Sequence, residues 1–294
     1  MRAILLVLVA LGVMTPSPSP AQSTPPAPAD SAARDENLPP SEQAAKAALV
    51  GSPRHGEFVD VPWASDKAPL RTWIVYPERK GKAGVVLIIH EIYGLSDWIR
   101  GVADQLAREG FIAVAPDLIS GLGPGGGGTD SVASRDDVVK LVRALTPEET
   151  TRRLDAVRAW ATRLPAASGR LATMGFCWGG GRSFICAATT PPPAAAVVFY
   201  GTSPDSALLP SVKAPVLGHY GGDDARVNAT IEPARTVLEK LGRRYEPHVY
   251  DGAGHGFLRA QTLRDGANLE ATRQSWPRTL AFLREHLEQV KKAK

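Results

Sequence analysis

Cys177 stands in Gly175-Phe176-Cys177-Trp178-Gly179, a G-x-C-x-G run between the apolar stretch Leu171–Phe176 and a helical pattern. A nucleophile on such a strand-to-helix turn is presented to a substrate, and the flanking glycines let neighbouring chains approach closely. The helix N-terminus favours thiolate, the reactive form of cysteine. The Trp178 N–H then faces the oxyanion that forms when a carbonyl is attacked. Such attack needs a base and a group that orients the base. His255, in Asp251-Gly252-Ala253-Gly254-His255-Gly256-Phe257, is the candidate base on a glycine-flanked loop. Two aspartates in Gly221-Gly222-Asp223-Asp224-Ala225-Arg226-Val227 could orient it. A G-x-x-D-x-x-V spacing selects Asp224, with Asp223 as the alternative. Glu91, in His90-Glu91-Ile92-Tyr93-Gly94, puts a carboxylate at the mouth of the sheet facing the elbow, where a satisfied loop carboxylate is an equal reading. The Ile92 N–H in that loop is the candidate second oxyanion donor. The chemistry these residues could do together is acyl transfer at an ester or lactone carbonyl.

Other candidates compete poorly. Cys186 lies nine positions beyond Cys177 on one predicted helix, which puts the Cα atoms ~13 Å apart. A disulfide needs them within about 7 Å, so the pair stays unlinked and Cys186 reads as a small apolar core residue. His219 and His248 fall inside strand patterns, His55 precedes the fold, and His286 sits in a terminal helix. No His/Cys/Asp/Glu spacing suggests a metal, and no cofactor is expected.

The elements that must position these residues alternate regularly from Glu57 onward. Val59–Trp63 and Leu70–Tyr76 alternate like antiparallel edge strands. Val85–His90, Phe111–Pro116, Leu171–Phe176, Ala195–Tyr200, Pro215–Tyr220 and Tyr245–Tyr250 read as strands, the most apolar of them buried on both faces. Helical patterns cover Asp97–Glu109, Ser131–Leu164 with a break at Thr146-Pro147, Trp178–Ala188, Ile231–Leu241 and Leu269–Val290. This is an α/β fold, a mostly parallel sheet with helices on both faces. Gly121–Gly128 reads as a mobile surface loop.

The chain has 294 residues, 44% of them hydrophobic, enough for one sizeable core. Residues 51–294 are assigned to one catalytic domain. The net charge of +4 is spread among mixed charges, which argues for a solvated surface and against nucleic-acid binding. Met1-Arg2, an apolar run to Met14 and small residues near Ala21 predict a signal peptide over 1–21. The Pro- and Ala-rich stretch 22–50 is expected to be a flexible spacer, with helical character near Glu42–Val50. The expectation is an exported protein, periplasmic or secreted, with no stable membrane anchor. The oligomeric state is left open, a monomer being compatible.

HEIYG at His90–Gly94, GFCWGG at Gly175–Gly180, the GGDD loop and GAGHGF at Gly252–Phe257 resemble the motif blocks of the dienelactone hydrolase (carboxymethylenebutenolidase) family. That family has the α/β-hydrolase fold, and the resemblance runs from about Glu57 to the C-terminus. It implies a triad of Cys177, Asp224 and His255. It also implies that Glu91 takes the thiol proton when substrate arrives. Arg259, four residues after the histidine, would hold a substrate carboxylate, and Tyr93 is assigned to substrate binding beside it. At rest Glu91 would pair with Arg259 and the thiol would stay neutral. The expected substrate is a small ester or lactone, carboxylate-bearing by resemblance.

Three departures stand out. Typical members are cytosolic, the Gly121–Gly128 stretch suggests a different lid, and the second carboxylate-binding arginine has no clear counterpart beyond the weak candidate Arg135. A general exported carboxylesterase without carboxylate selection is the rival enzyme. A non-catalytic secreted binding protein on the same scaffold is the rival from another class.

Overall fold

A computed structural model of the chain describes residues 35–64 and 67–288. The expected signal peptide and the first part of the expected spacer, 22–34, lie outside the described residues. Among the described residues eight strands form one sheet: β1 (Gly56–Val61), β2 (Leu70–Val75), β3 (Ala83–Ile89), β4 (Ile112–Pro116), β5 (Ala167–Phe176), β6 (Ala195–Phe199), β7 (Val216–Gly221) and β8 (Tyr245–Tyr250). Their spatial order is β1-β2-β4-β3-β5-β6-β7-β8. Only the β1–β2 and β2–β4 pairings are antiparallel. All others are parallel. The helices are α1 (Glu42–Val50), α2 (Asp97–Arg108), α3 (Arg135–Ala144), α4 (Pro147–Ala161), α5 (Trp178–Cys186), α6 (Ala225–Asn228), α7 (Ile231–Lys240) and α8 (Ala267–Leu287).

The strand period of two sorts the core. Val86 and Ile88 of β3 pack with Trp98 and Val102 of α2 and with Trp276 and Leu283 of α8. Val85, Leu87 and Ile89 point the other way, to Val142 of α3 and to Leu154 and Val157 of α4. Both faces of β3 are therefore fully covered, which is why its sequence shows an unbroken apolar run. Thr146 caps α4, accepting from the Glu149 N–H at 3.1 Å, at the break that Thr146-Pro147 predicted. Cys186 closes α5 inside the second cluster, and both cysteines are free.

Two expectations need correction. Residues 35–50 are not a spacer in the structure. Leu38 and Ala45 are buried against α2, the Trp98 indole donates to the Pro40 carbonyl at 3.0 Å, and Gln105 donates to the Glu36 carbonyl at 3.0 Å. Just beyond, Arg54 grips the buried Asp104 through Nε and Nη2 at 2.9 and 2.6 Å. Sparse apolar residues hid this segment, because much of its docking runs through main-chain carbonyls and charged side chains, which leave no apolar period in the sequence. The Gly121–Gly128 stretch is likewise defined rather than loose. Gly121 and Gly123 both donate to the Gly127 carbonyl, at 3.0 and 2.9 Å. Asp117 then holds Thr129 through its N–H and hydroxyl, at 2.6 and 2.9 Å.

Candidate active site

The turn between β5 and α5 carries Cys177 at φ 53°, ψ −115°, a left-handed conformation unusual for a side-chain-bearing residue. Its glycines are sterically required. A Cβ on Gly175 would lie 1.9 Å from the Gly179 carbonyl oxygen, and one on Gly179 would lie 2.3 Å from the Ile89 carbonyl oxygen. The main chain locks the turn from both sides, with Cys177 N–H donating to Phe199 O at 3.0 Å and Gly181 N–H to Cys177 O at 3.2 Å. The Trp178 N–H is directed at the thiol sulfur.

The loops after β7 and β8 meet beside this turn. Gly221 makes that possible, since a Cβ there would lie 2.6 Å from the Gly254 carbonyl oxygen. Of the two aspartates, it is Asp224 whose Oδ2 lies 2.5 Å from His255 Nδ1. Asp223 turns outward to pair with Arg264. Asp224 is 8% exposed and caps the short helix α6 through the Val227 N–H at 3.4 Å. About a third of the His255 side chain, 35%, is open at the cleft. His219 is consumed by the core, bonded to the hydroxyls of Tyr250 and Thr279 at 2.8 and 2.9 Å.

The loop after β3 brings in the buried carboxylate. His90 Nε2 accepts from the Leu118 N–H at 3.1 Å, so Nδ1 carries the proton and donates to the Glu91 carbonyl at 2.7 Å. Burial holds this imidazole's pKa below its usual range. His90 thus fixes the loop backbone and also stacks on Trp178, with ring centroids 5.8 Å apart. Glu91 is 3% exposed, and its Oε1 lies 2.9 Å from Arg259 Nε, close but poorly aligned for a hydrogen bond. Arg259 also pairs through Nη1 with Glu42. The other Glu42 oxygen accepts from Arg135 at 2.5 Å. Both guanidinium groups lie over the Tyr93 ring, Arg135 at 3.6 Å and Arg259 at 5.2 Å.

These residues open on a cleft of about 610 Å³, lined by Glu91, Ile92, Tyr93, Cys177, Trp178, Tyr200, His255 and Arg259 among others. All eight site residues expected from the sequence therefore lie in or directly behind one cleft, with Asp224 in the rear position. Desolvation, then the nearby Glu91, pushes the Cys177 thiol up to about 11. That outweighs the Trp178 N–H, so the thiol is neutral at rest despite its helix terminus. Desolvation likewise raises Glu91 to about 7, with Arg259 opposing and Glu42 adding to the rise. The Glu91 carboxyl thus titrates near neutrality, as a general base requires. No group of three or more possible metal ligands occurs among the described residues.

Sequence reasoning missed Tyr200 and Glu42. Tyr200 follows β6 at φ 42°, fully buried, its ring 5.2 Å from His255 and its hydroxyl without a hydrogen-bond partner among the described residues. The end of a buried strand at the carboxyl edge of the sheet was the available signal. Arg143, Arg182 and Arg226 also line the cleft and were not singled out.

Residues 70–287 match the sequence model of the dienelactone hydrolase family. A carboxymethylenebutenolidase of Pseudomonas putida is 32% identical over 210 residues, covering 69% of this chain and 86% of that protein. A solved Klebsiella pneumoniae structure, provisionally named a dienelactone hydrolase, is 29% identical with a TM-score of 0.66, covering 78% of this chain and 97% of that one. A Pyrococcus horikoshii acylaminoacyl peptidase, at 17% identity and a TM-score of 0.62, shares the fold over 82% of this chain and 43% of its own.

Proposed function

Because the chain belongs to the dienelactone hydrolase family, whose members indicate a hydrolase of ester or lactone bonds, we propose that it works through a Cys177–His255–Asp224 triad. The observation that carries this reading is the cleft shared by Cys177, His255, Glu91 and Trp178, with Asp224 at 2.5 Å behind His255.

Glu91 takes the proton of the Cys177 thiol as substrate enters. The thiolate adds to the carbonyl, and the N–H groups of Trp178 and Ile92 hold the oxyanion. Collapse breaks the ester C–O bond, and the departing oxygen takes up the proton that left the sulfur. His255, held by Asp224, then draws a proton from water, whose oxygen adds to the thioester. The acid leaves, and the proton returns to Cys177. A thiol kept neutral between turnovers also resists oxidation, since thiolate is the reactive form.

One observation bears on substrate class. Beyond the resting pair with Glu91 that the resemblance already implies, Arg259 carries a second carboxylate of its own chain, Glu42. This supports hydrolysis without carboxylate selection over the carboxylate-bearing lactones that the resemblance implied. A non-catalytic binding role is disfavoured by a strained elbow and paired His255 kept together. We also propose export through residues 1–21. No helix among the described residues is long and apolar enough to cross a membrane.

Initial rates on a panel of neutral and anionic aryl esters and lactones test the reading. Cys177→Ala should abolish turnover on every member, whereas Cys186→Ala should retain it. An active Cys177→Ala variant would overturn the assignment.

A further inference from the structure

Four charged groups alternate beside the cleft in the order Glu91, Arg259, Glu42, Arg135. Glu42 comes from α1, a helix outside the residues that match the family, 70–287. The placement is anchored by main chain as well as by charge. The Glu42 N–H donates to the Arg259 carbonyl at 3.0 Å, and Gln261 donates to the Pro39 carbonyl at 2.9 Å. The carboxylate that meets Arg259 is therefore delivered by a segment stitched to the stretch carrying Arg259.

We propose that Glu42 is a specificity-determining residue that supplies Arg259 with an internal carboxylate and so tunes the cleft to uncharged esters and lactones. The proposal rests on the reading of Cys177 as the hydrolytic nucleophile. With Glu91 and Glu42 both ionised, the four groups sum to zero charge, two guanidinium groups against two carboxylates. A substrate carboxylate reaching Arg259 must displace Glu42 or join a cluster made net negative by its arrival, and either outcome opposes binding. A neutral ester meets no such opposition. In this arrangement Glu42 holds one face of Arg259, and the substrate need not.

The test compares kcat/KM for p-nitrophenyl butyrate with that for mono-p-nitrophenyl glutarate, which ends in a carboxylate. Glu42→Gln removes the charge while keeping the shape. It should raise the anionic-to-neutral ratio by about tenfold or more, the worth of one charge-assisted contact regained. Free glutarate should become a correspondingly better competitive inhibitor. Adding Arg259→Ala to Glu42→Gln should erase the gain, which separates Arg259 from the other cleft arginines. An unchanged or lower ratio in Glu42→Gln would overturn the proposal. So would a gain that survives in the double variant. A wild-type enzyme inert on both esters would instead overturn the hydrolytic reading.

Discussion

Arg259 Nε lies 2.9 Å from Glu91 Oε1, yet burial outweighs this pairing and Glu91 titrates near 7 rather than 4.5. Between those two values the native state keeps a proton that the unfolded chain has lost. This contribution to stability is full below about pH 4.5 and is lost as pH rises through about 7. It amounts to about 3 kcal/mol at most. Glu91→Gln has no such dependence. Urea midpoints should therefore show the variant gaining on the wild type between pH 5 and pH 8. A constant difference across that range would contradict the buried, titrating carboxyl.

The thiol should behave as its surroundings dictate. With Cys177 near 11, alkylation by iodoacetamide should be slow at neutral pH and rise about tenfold per pH unit toward 10. Glu91→Gln removes a negative neighbour, so its thiol should alkylate faster at pH 9. The same variant should hydrolyse esters roughly a hundredfold more slowly, having lost the base. These opposite movements in one variant distinguish a base from a merely structural carboxylate. Parallel changes would rule out the assigned role.

Asp223 and Asp224 adjoin in sequence and differ in consequence. Asp224→Asn should lower kcat by roughly 10²–10⁴, since His255 loses the partner that orients it and stabilises its charge. Asp223→Asn removes only an ion pair whose two side chains are each about half exposed. Such a pair is worth about 0–1 kcal/mol, so kcat should stay near wild type. Steady-state kinetics on a neutral aryl ester decides between them, and a reversed order would favour Asp223 as the acid.

The N-terminal segment yields a prediction about folding and one about processing. A chain starting at Asp35 keeps the contacts of this segment and serves as the reference. One starting at Gly51 loses Leu38 and Ala45 from the core and the Pro40 carbonyl from Trp98. Burying one leucine is worth about 1.5–3 kcal/mol, so its melting temperature should fall by about 5 °C or more. Thermal unfolding followed by circular dichroism measures this. If export through residues 1–21 holds, N-terminal sequencing of protein from the periplasm or medium should begin near Gln22. An intact Met1 there would count against it.

Local chemistry made much of this protein legible from sequence. Steric demands at the elbow leave a glycine signature around Cys177, and strands buried on both faces leave unbroken apolar runs such as Val85–Ile89. Thr146-Pro147 marked a helix start because capping depends on adjacent residues. The order of cysteine, aspartate and histidine and the placement of Glu91 were also readable, since each sits on a loop directly after a strand. Long-range partners were not readable. Local spacing, G-x-x-D-x-x-V, favoured Asp224 but left Asp223 open, and the close approach of the Gly221 and Gly254 loops puts Asp224 against His255. Glu42 lies 217 residues from Arg259, in a segment whose composition resembles a linker. Whether a charged side chain is solvated or paired depends on what the fold brings beside it, and that is a property of tertiary structure alone.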